Sequence, residues 1–211
     1  LNFYQEEIEI MEGENVLNAE LVYSGFPSGL VGYWTFDNPN NLVGASVGND
    51  LSLVGTHAPA EGPEEGDGAV NIGVGSFYRC YHDIEANGYY SNPDWVNIFT
   101  IVMDIKIPLV GQWYTIYQTN WPNSNDGDAF VNPEGQVGVS DTGYSLYSLI
   151  PGEWYRLVIS VNLGVHYDYY LDGQLLHNGG PQGFDGRFSL YPANDANQVL
   201  FFADNDGDDN P

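Results

Sequence analysis

Glycine and proline interrupt almost every stretch of this chain that is long enough to wind into a helix, with 26 Gly and 12 Pro in 211 residues. Both residue types break helix interiors. Between the breaks the sequence is short-period, aromatic and β-branched: it holds 16 Tyr, 10 Phe and 5 Trp, residues that suit the pleated, half-buried surface of a sheet. Evenly spaced short strands with turn signals between them predict an all-β sandwich, and the length suits one core with decorations.

The strand candidates run in order along the chain. GLVGYWTFD (29–37) and NDLSLVG (49–55) come first, then a Gly/Pro/Glu-rich loop, THAPAEGPEEGDG, and AVNIGVGSFYRCYHD (69–83). FTIVMDIKIP (99–108), QWYTIYQTN (112–120), DAFVNPEGQVGVS (128–140) and GEWYRLVISVN (152–162) are the strongest. HYDYYLDGQLLH (166–177) reads as a hairpin, because Asp172-Gly173 supplies the positive φ angles of a two-residue turn. GRFSLYP and QVLFFAD close the series. Trp34, Trp113 and Trp154 fall within strands and are expected in the core.

Charge excludes whole classes of partner. Arg79, Lys106, Arg156 and Arg187 stand against 29 Asp and Glu, a formal charge of −25. A phosphate backbone or an anionic membrane surface is repelled, so nucleic acid is not an expected partner, and cations are the natural counterweight. Cys80 is the sole cysteine, which rules out an intrachain disulfide and a CxxC knuckle and predicts a small buried apolar residue. No apolar run is long enough to span a bilayer. High acidity with few lysines suits an extracellular or cell-surface setting.

The ordered motifs GLVGYWTFDN, FTIVMDIKIP, PGEWYRLVISVN, YYLDGQLL and LFFADND resemble the concanavalin A-like jelly roll, specifically the laminin-G-like modules of secreted bacterial proteins. The resemblance spans nearly all of residues 28–210. It implies a two-sheet antiparallel jelly-roll sandwich, frequent calcium binding, and roles in glycan or protein recognition. Fold alone does not give function.

In such modules the strand ending in an acidic loop is followed by a further strand and a helical turn. Here QVLFFADNDGDDNP is the end of the sequence, whereas the strand-like Glu6, Glu7, Ile8, Glu9, Ile10 and Met11, with ENVLNAELV (14–22) as the helical turn, stand at its front. Residues 1–27 are therefore expected to complete a sandwich whose body is 28–211. Three arrangements fit: a circular permutation, one period of a tandem array, or a strand donated to a neighbouring subunit. Donation is a head-to-tail contact and builds filaments when the rotation does not close.

Candidate sites follow from residue chemistry. EIEIME (7–12) resembles the Glu-x-Asp-x-x-Glu motif of laminarinase-like glycoside hydrolases, which would make Glu7 nucleophile, Glu9 its assistant and Glu12 acid/base. Its central residue is Glu instead of Asp, and it lies at the N-terminus instead of mid-chain. A solvated acidic edge explains the same residues. Calcium is the better match: Asp204, Asn205, Asp206, Asp208 and Asp209 surround Gly207, and Asn125, Asp126 and Asp128 surround Gly127, hard oxygen donors on Gly-containing loops. Asp37 and Asn38 are weaker candidates. For glycans, Tyr89, Tyr90, Trp95 and Trp121 sit in amide-rich contexts where rings could stack on sugar faces. No HxxxH, HExxH or GxSxG pattern is present.

These readings point first to a noncatalytic extracellular module, calcium-stabilised, that builds a surface array or filament with other copies of itself or adjacent repeats. The alternative is a carbohydrate-binding module of a larger secreted protein with glycans as partners.

Overall fold

The computed structural model describes residues 28–87, 94–119, 127–184, 187–191 and 197–204. The chain divides into two units, Leu1–Leu30 and Val31–Pro211, and every strand below belongs to the second. Residues 6–11, Glu12 and the expected helical turn lie outside the described residues, as do Tyr89, Tyr90, Trp121, Asp126, Asp206 and Asp208.

Among the described residues there is no helix, and thirteen strands form two sheets and a ribbon. The large sheet comprises β1 (Ser52–Val54), β4 (Phe77–Tyr81), β13 (Gln198–Phe201), β6 (Tyr114–Gln118), β7 (Ala129–Val131), β8 (Gln136–Val139) and β9 (Gly143–Ser148), in that spatial order. The small sheet runs β12 (Gln174–Asn178), β11 (His166–Leu171), β10 (Tyr155–Asn162), β5 (Ile98–Ile105). All pairings are antiparallel. The fold is an all-β antiparallel sandwich, as the sequence predicts.

Period-two alternation makes the core. In β10, Tyr155, Leu157, Ile159 and Val161 are buried while their neighbours are more exposed, because successive strand side chains point to opposite faces. Tyr167, Tyr169 and Leu171 of β11 join them, and Tyr78, Tyr117, Val131, Val137 and Val199 face them from the large sheet. Each fully buried aliphatic contributes roughly 1.5–3 kcal/mol relative to exposure. Cys80 is buried, as expected, and burial pushes its thiol up to about 12. The Asp172-Gly173 turn has φ of 49° and 78°, the left-handed pair required of this hairpin.

Four expectations are corrected. Residues 29–37 form no strand; Tyr33 makes only an isolated bridge to Val47. Phe36 adopts φ 59°, which breaks the extended path, and Asp37 Oδ1 accepts the Gly68 amide at 2.8 Å. The presumed loop 56–68 contains β2 (His57–Glu61), paired in a ribbon with β3 (Gly68–Ile72). Pro59 is tolerated because a two-stranded ribbon has an outer edge needing no donor. GYSLYS forms the edge strand β9, which its Gly and Ser content concealed. Trp113 is 48% exposed instead of core, and Trp154 is half-buried beneath Lys106, whose Nζ lies 4.6 Å from the ring centroid, whereas the half-buried Trp34 packs against the core as expected.

The space beside 198–203 is also not vacant. β13 pairs with β4 through Gln198–Tyr81 to Phe201–Tyr78 and with β6 through Leu200–Gln118 and Phe201–Tyr117. Phe202 adopts φ 71°, and its amide still donates to the Ile116 carbonyl at 3.1 Å. Ala203 then packs with Phe77 and Leu200, and the Asp204 carbonyl accepts from Gln118 Nε2 at 2.8 Å.

Candidate functional site

Antiparallel order brings one set of connections together. β4, β6 and β8 end where β13, β7 and β9 begin, and β10 and β12 end where β5 and β11 begin. Contacts from Tyr117 to Tyr167 and from Val96 to Leu190 put these two sets of ends side by side. Trp95 and Asp128 both lie at this loop end.

Residues 187–191 form a strap across it. Val96 and Leu190 exchange both backbone hydrogen bonds, at 3.0 Å each, and Ser189 Oγ donates to Asn97 Oδ1 at 2.6 Å. Phe188, Ser189 and Leu190 are buried. This pairing sets Tyr191 against Trp95, ring centroids 5.2 Å apart and planes tilted by 31°. Both rings are half-buried, and the adjacent Asp94 is exposed. The result is a half-buried pair of aromatic rings at the loop end, with the exposed Asp94 next to Trp95 in the chain.

The other end of the strap is locked by a buried ion pair. Asp128 has no exposed surface; Arg187 Nη1 donates to its Oδ1, and the Thr119 amide donates to its Oδ2 at 2.5 Å. Arg187 Nη2 also donates to the Gly127 carbonyl at 3.2 Å, and the guanidinium lies over Phe188. Tyr167 donates to the Asp128 carbonyl at 3.0 Å while its hydroxyl also bonds Tyr117. Burial drives the Asp128 carboxyl up to about 6, against the opposing pull of Arg187. Burial likewise raises Tyr117 and Tyr167 well above the ordinary phenol range.

With no surface to offer a substrate, Asp128 anchors loops. It does not fit a calcium ion either: both oxygens are engaged by donors, and an adjacent guanidinium opposes a cation. Asp204 is held through its backbone carbonyl. Among the described residues no group of three or more His, Cys, Asp or Glu is placed to hold a metal. Sequence reasoning found Trp95 but missed Tyr191 and Arg187. The alternation in RFSLY was a signal for the strap; its partner was not.

These features define a two-layer antiparallel β-sandwich domain with a loop-borne aromatic surface. No protein-family model matches the sequence, and no curated protein matches it. Among solved structures, the chain is similar to domain 4 of AbnA, a GH43 extracellular arabinanase from Geobacillus stearothermophilus, determined in complex with arabinotriose. The identity is 17%, the TM-score 0.54, and the match covers 83% of this chain and 85% of that one. At this identity the likeness is one of fold.

Proposed function

We propose that this domain is a noncatalytic carbohydrate-binding module of a secreted protein, with the Trp95–Tyr191 surface as its glycan site. The observation that carries the reading is that pair, fixed by the strap at the loop end beside Asp94. Sugar C–H faces stack on aromatic rings, and hydroxyls need acceptors beside them. The arabinotriose-bound fold neighbour supports the reading, and its extracellular setting supports secretion. Among the described residues no helix is long and apolar enough to cross a membrane. The order of sequence motifs supports a laminin-G-like relationship. Filament building by strand donation has less support, since β13 has partners on both sides.

Titration calorimetry against neutral oligosaccharides, arabinotriose included, is expected to show binding. Trp95→Ala and Tyr191→Ala should each weaken it about tenfold, the loss of an aromatic contact on the order of 1 kcal/mol. No heat from any member of the panel would remove the reading.

Calcium belongs to the same proposal through the acidic 204–209 segment, not through Asp128. A ligand that binds only the folded state stabilises it by mass action, and cation removal restores self-repulsion in a chain of charge −25. EGTA is expected to lower Tm by a few degrees; superimposable melting curves with and without it would exclude such a site.

A further inference from the structure

The outer face of the small sheet carries a polar quartet. Leu157, Ile159 and Val161 of β10 and Tyr167 and Tyr169 of β11 are buried in the core, so strand alternation turns Ser160, Asn162, His166 and Asp168 to the opposite face. The register sets Ser160 against Asp168 and Asn162 against His166. Directly opposed residues have Cβ atoms about 5 Å apart, and residues two apart along one strand are separated by roughly 7 Å. The four side chains therefore occupy the corners of one small rectangle, and all four are half-buried. Two of them leave an oxygen unsatisfied: Asn162 Oδ1 and Asp168 Oδ1 are buried, and neither has a hydrogen-bond partner among the described residues. Buried polar atoms are nearly always paired, and an exception calls for a water or an ion. On the other diagonal, Ser160 Oγ and His166 Nε2 are hydrogen-bonded at 3.1 Å. With the hydroxyl donating, Nε2 turns its lone pair into the quartet.

We propose that Ser160, Asn162, His166 and Asp168 form a binding site for one divalent transition-metal ion of zinc-like chemistry, which ties β10 to β11. The donor set selects the ion: imidazole suits zinc and its neighbours, whereas calcium takes oxygens alone. The site is thus separate in kind from the acidic 204–209 segment, whose side chains offer only oxygen and amide groups. An asparagine and a serine complete a set that the histidine and the aspartate do not make by themselves. The spacing fits as well. Two ligand atoms each about 2.1 Å from a tetrahedral ion stand roughly 3.4 Å apart, so the Ser160–His166 pair at 3.1 Å has only to part by a few tenths of an ångström. Charge favours a cation here: the chain carries −25, and Arg156, on the same face of β10, is held by Asp104.

Calorimetry with zinc on EDTA-treated protein tests this, with calcium in excess so that sites built from oxygens alone are already filled. The wild type is expected to bind one equivalent of zinc, and its Tm to rise by a few degrees, because the ion binds only the folded state. His166→Ala and Asp168→Asn should each weaken binding by more than about tenfold, with circular dichroism and the zinc-free Tm confirming that both variants are folded. Anomalous scattering at the zinc edge from wild-type crystals gives a readout that needs no variant. A peak is expected within the quartet, about 2.0–2.2 Å from His166 and Asp168. No zinc heat, an affinity that either variant leaves unchanged, or a zinc peak away from the quartet overturns the proposal. A water alone between Asn162 and Asp168 in zinc-soaked crystals overturns it too, and shows what satisfies the two oxygens instead.

Discussion

Arg187→Met is expected to destabilise the domain by about 3 kcal/mol at pH 7.5 and by only about 1 kcal/mol at pH 5. The asymmetry comes from Asp128, which is fully buried, whereas the Arg187 side chain is 24% exposed. Removing the guanidinium leaves a buried carboxylate without its countercharge, a strongly unfavourable arrangement. Protonation limits the penalty: once the charge costs more than taking up a proton at the ambient pH, the carboxyl becomes neutral. With the wild-type group already at about 6, this limit leaves roughly 2 kcal/mol of electrostatic loss at pH 7.5. Lost hydrogen bonds add on the order of 1 kcal/mol. At pH 5 Asp128 is neutral in both proteins, and only the hydrogen-bond loss remains.

The same linkage sets the pH dependence of the wild type. The folded value, about 6, lies above the model value of 3.8, so between these limits the native state holds more protons than the unfolded chain. Stability therefore rises as pH falls from 7 through 6 and levels off near 4, by on the order of 3 kcal/mol from this group. Asp128→Asn should remove that slope. It should stay within about 1 kcal/mol of wild type at pH 7.5, because relief from burying a charge offsets the one donor left facing an amide NH2. Urea denaturation of the wild type and the two variants at pH 7.5 and 5 gives the six values. Equal losses for Arg187→Met at the two pH values would refute the linkage.

Gly138→Ala is expected to cost about 2–3 kcal/mol, the range of overpacking in a close-packed site. A Cβ there would collide with the Gly143 carbonyl oxygen and approach Tyr144 Cα to 2.8 Å. Both are backbone atoms of the paired strand, so neither can rotate aside, and β9 must shift away from β8. Gly152→Ala is the control: its φ is +84°, with nothing within 4 Å of the new atom, so it reports only the left-handed backbone penalty of about 1–2 kcal/mol. Denaturation midpoints that place the two variants together would show that the β8–β9 approach is slack.

The all-β class, β5, β10 and the β11–β12 hairpin were legible in the sequence, as was the burial of Cys80, because each rests on local information. Strand alternation repeats every two residues, and the turn at Asp172-Gly173 is written in two adjacent positions. The charge of −25, which bears on every partner considered, is likewise a property of composition. Tertiary structure alone decided that 57–61 is a strand, that 29–37 is not, and that β13 is flanked on both sides. It alone joined Asp128 to Arg187, 59 residues apart, set Tyr191 on Trp95 and turned Trp113 outward. Whether an aromatic faces core or solvent depends on which strands lie over it, and whether a carboxylate meets a metal or an arginine depends on which loops share an end. Those pairings are set by contacts distant in the chain, which no local pattern encodes.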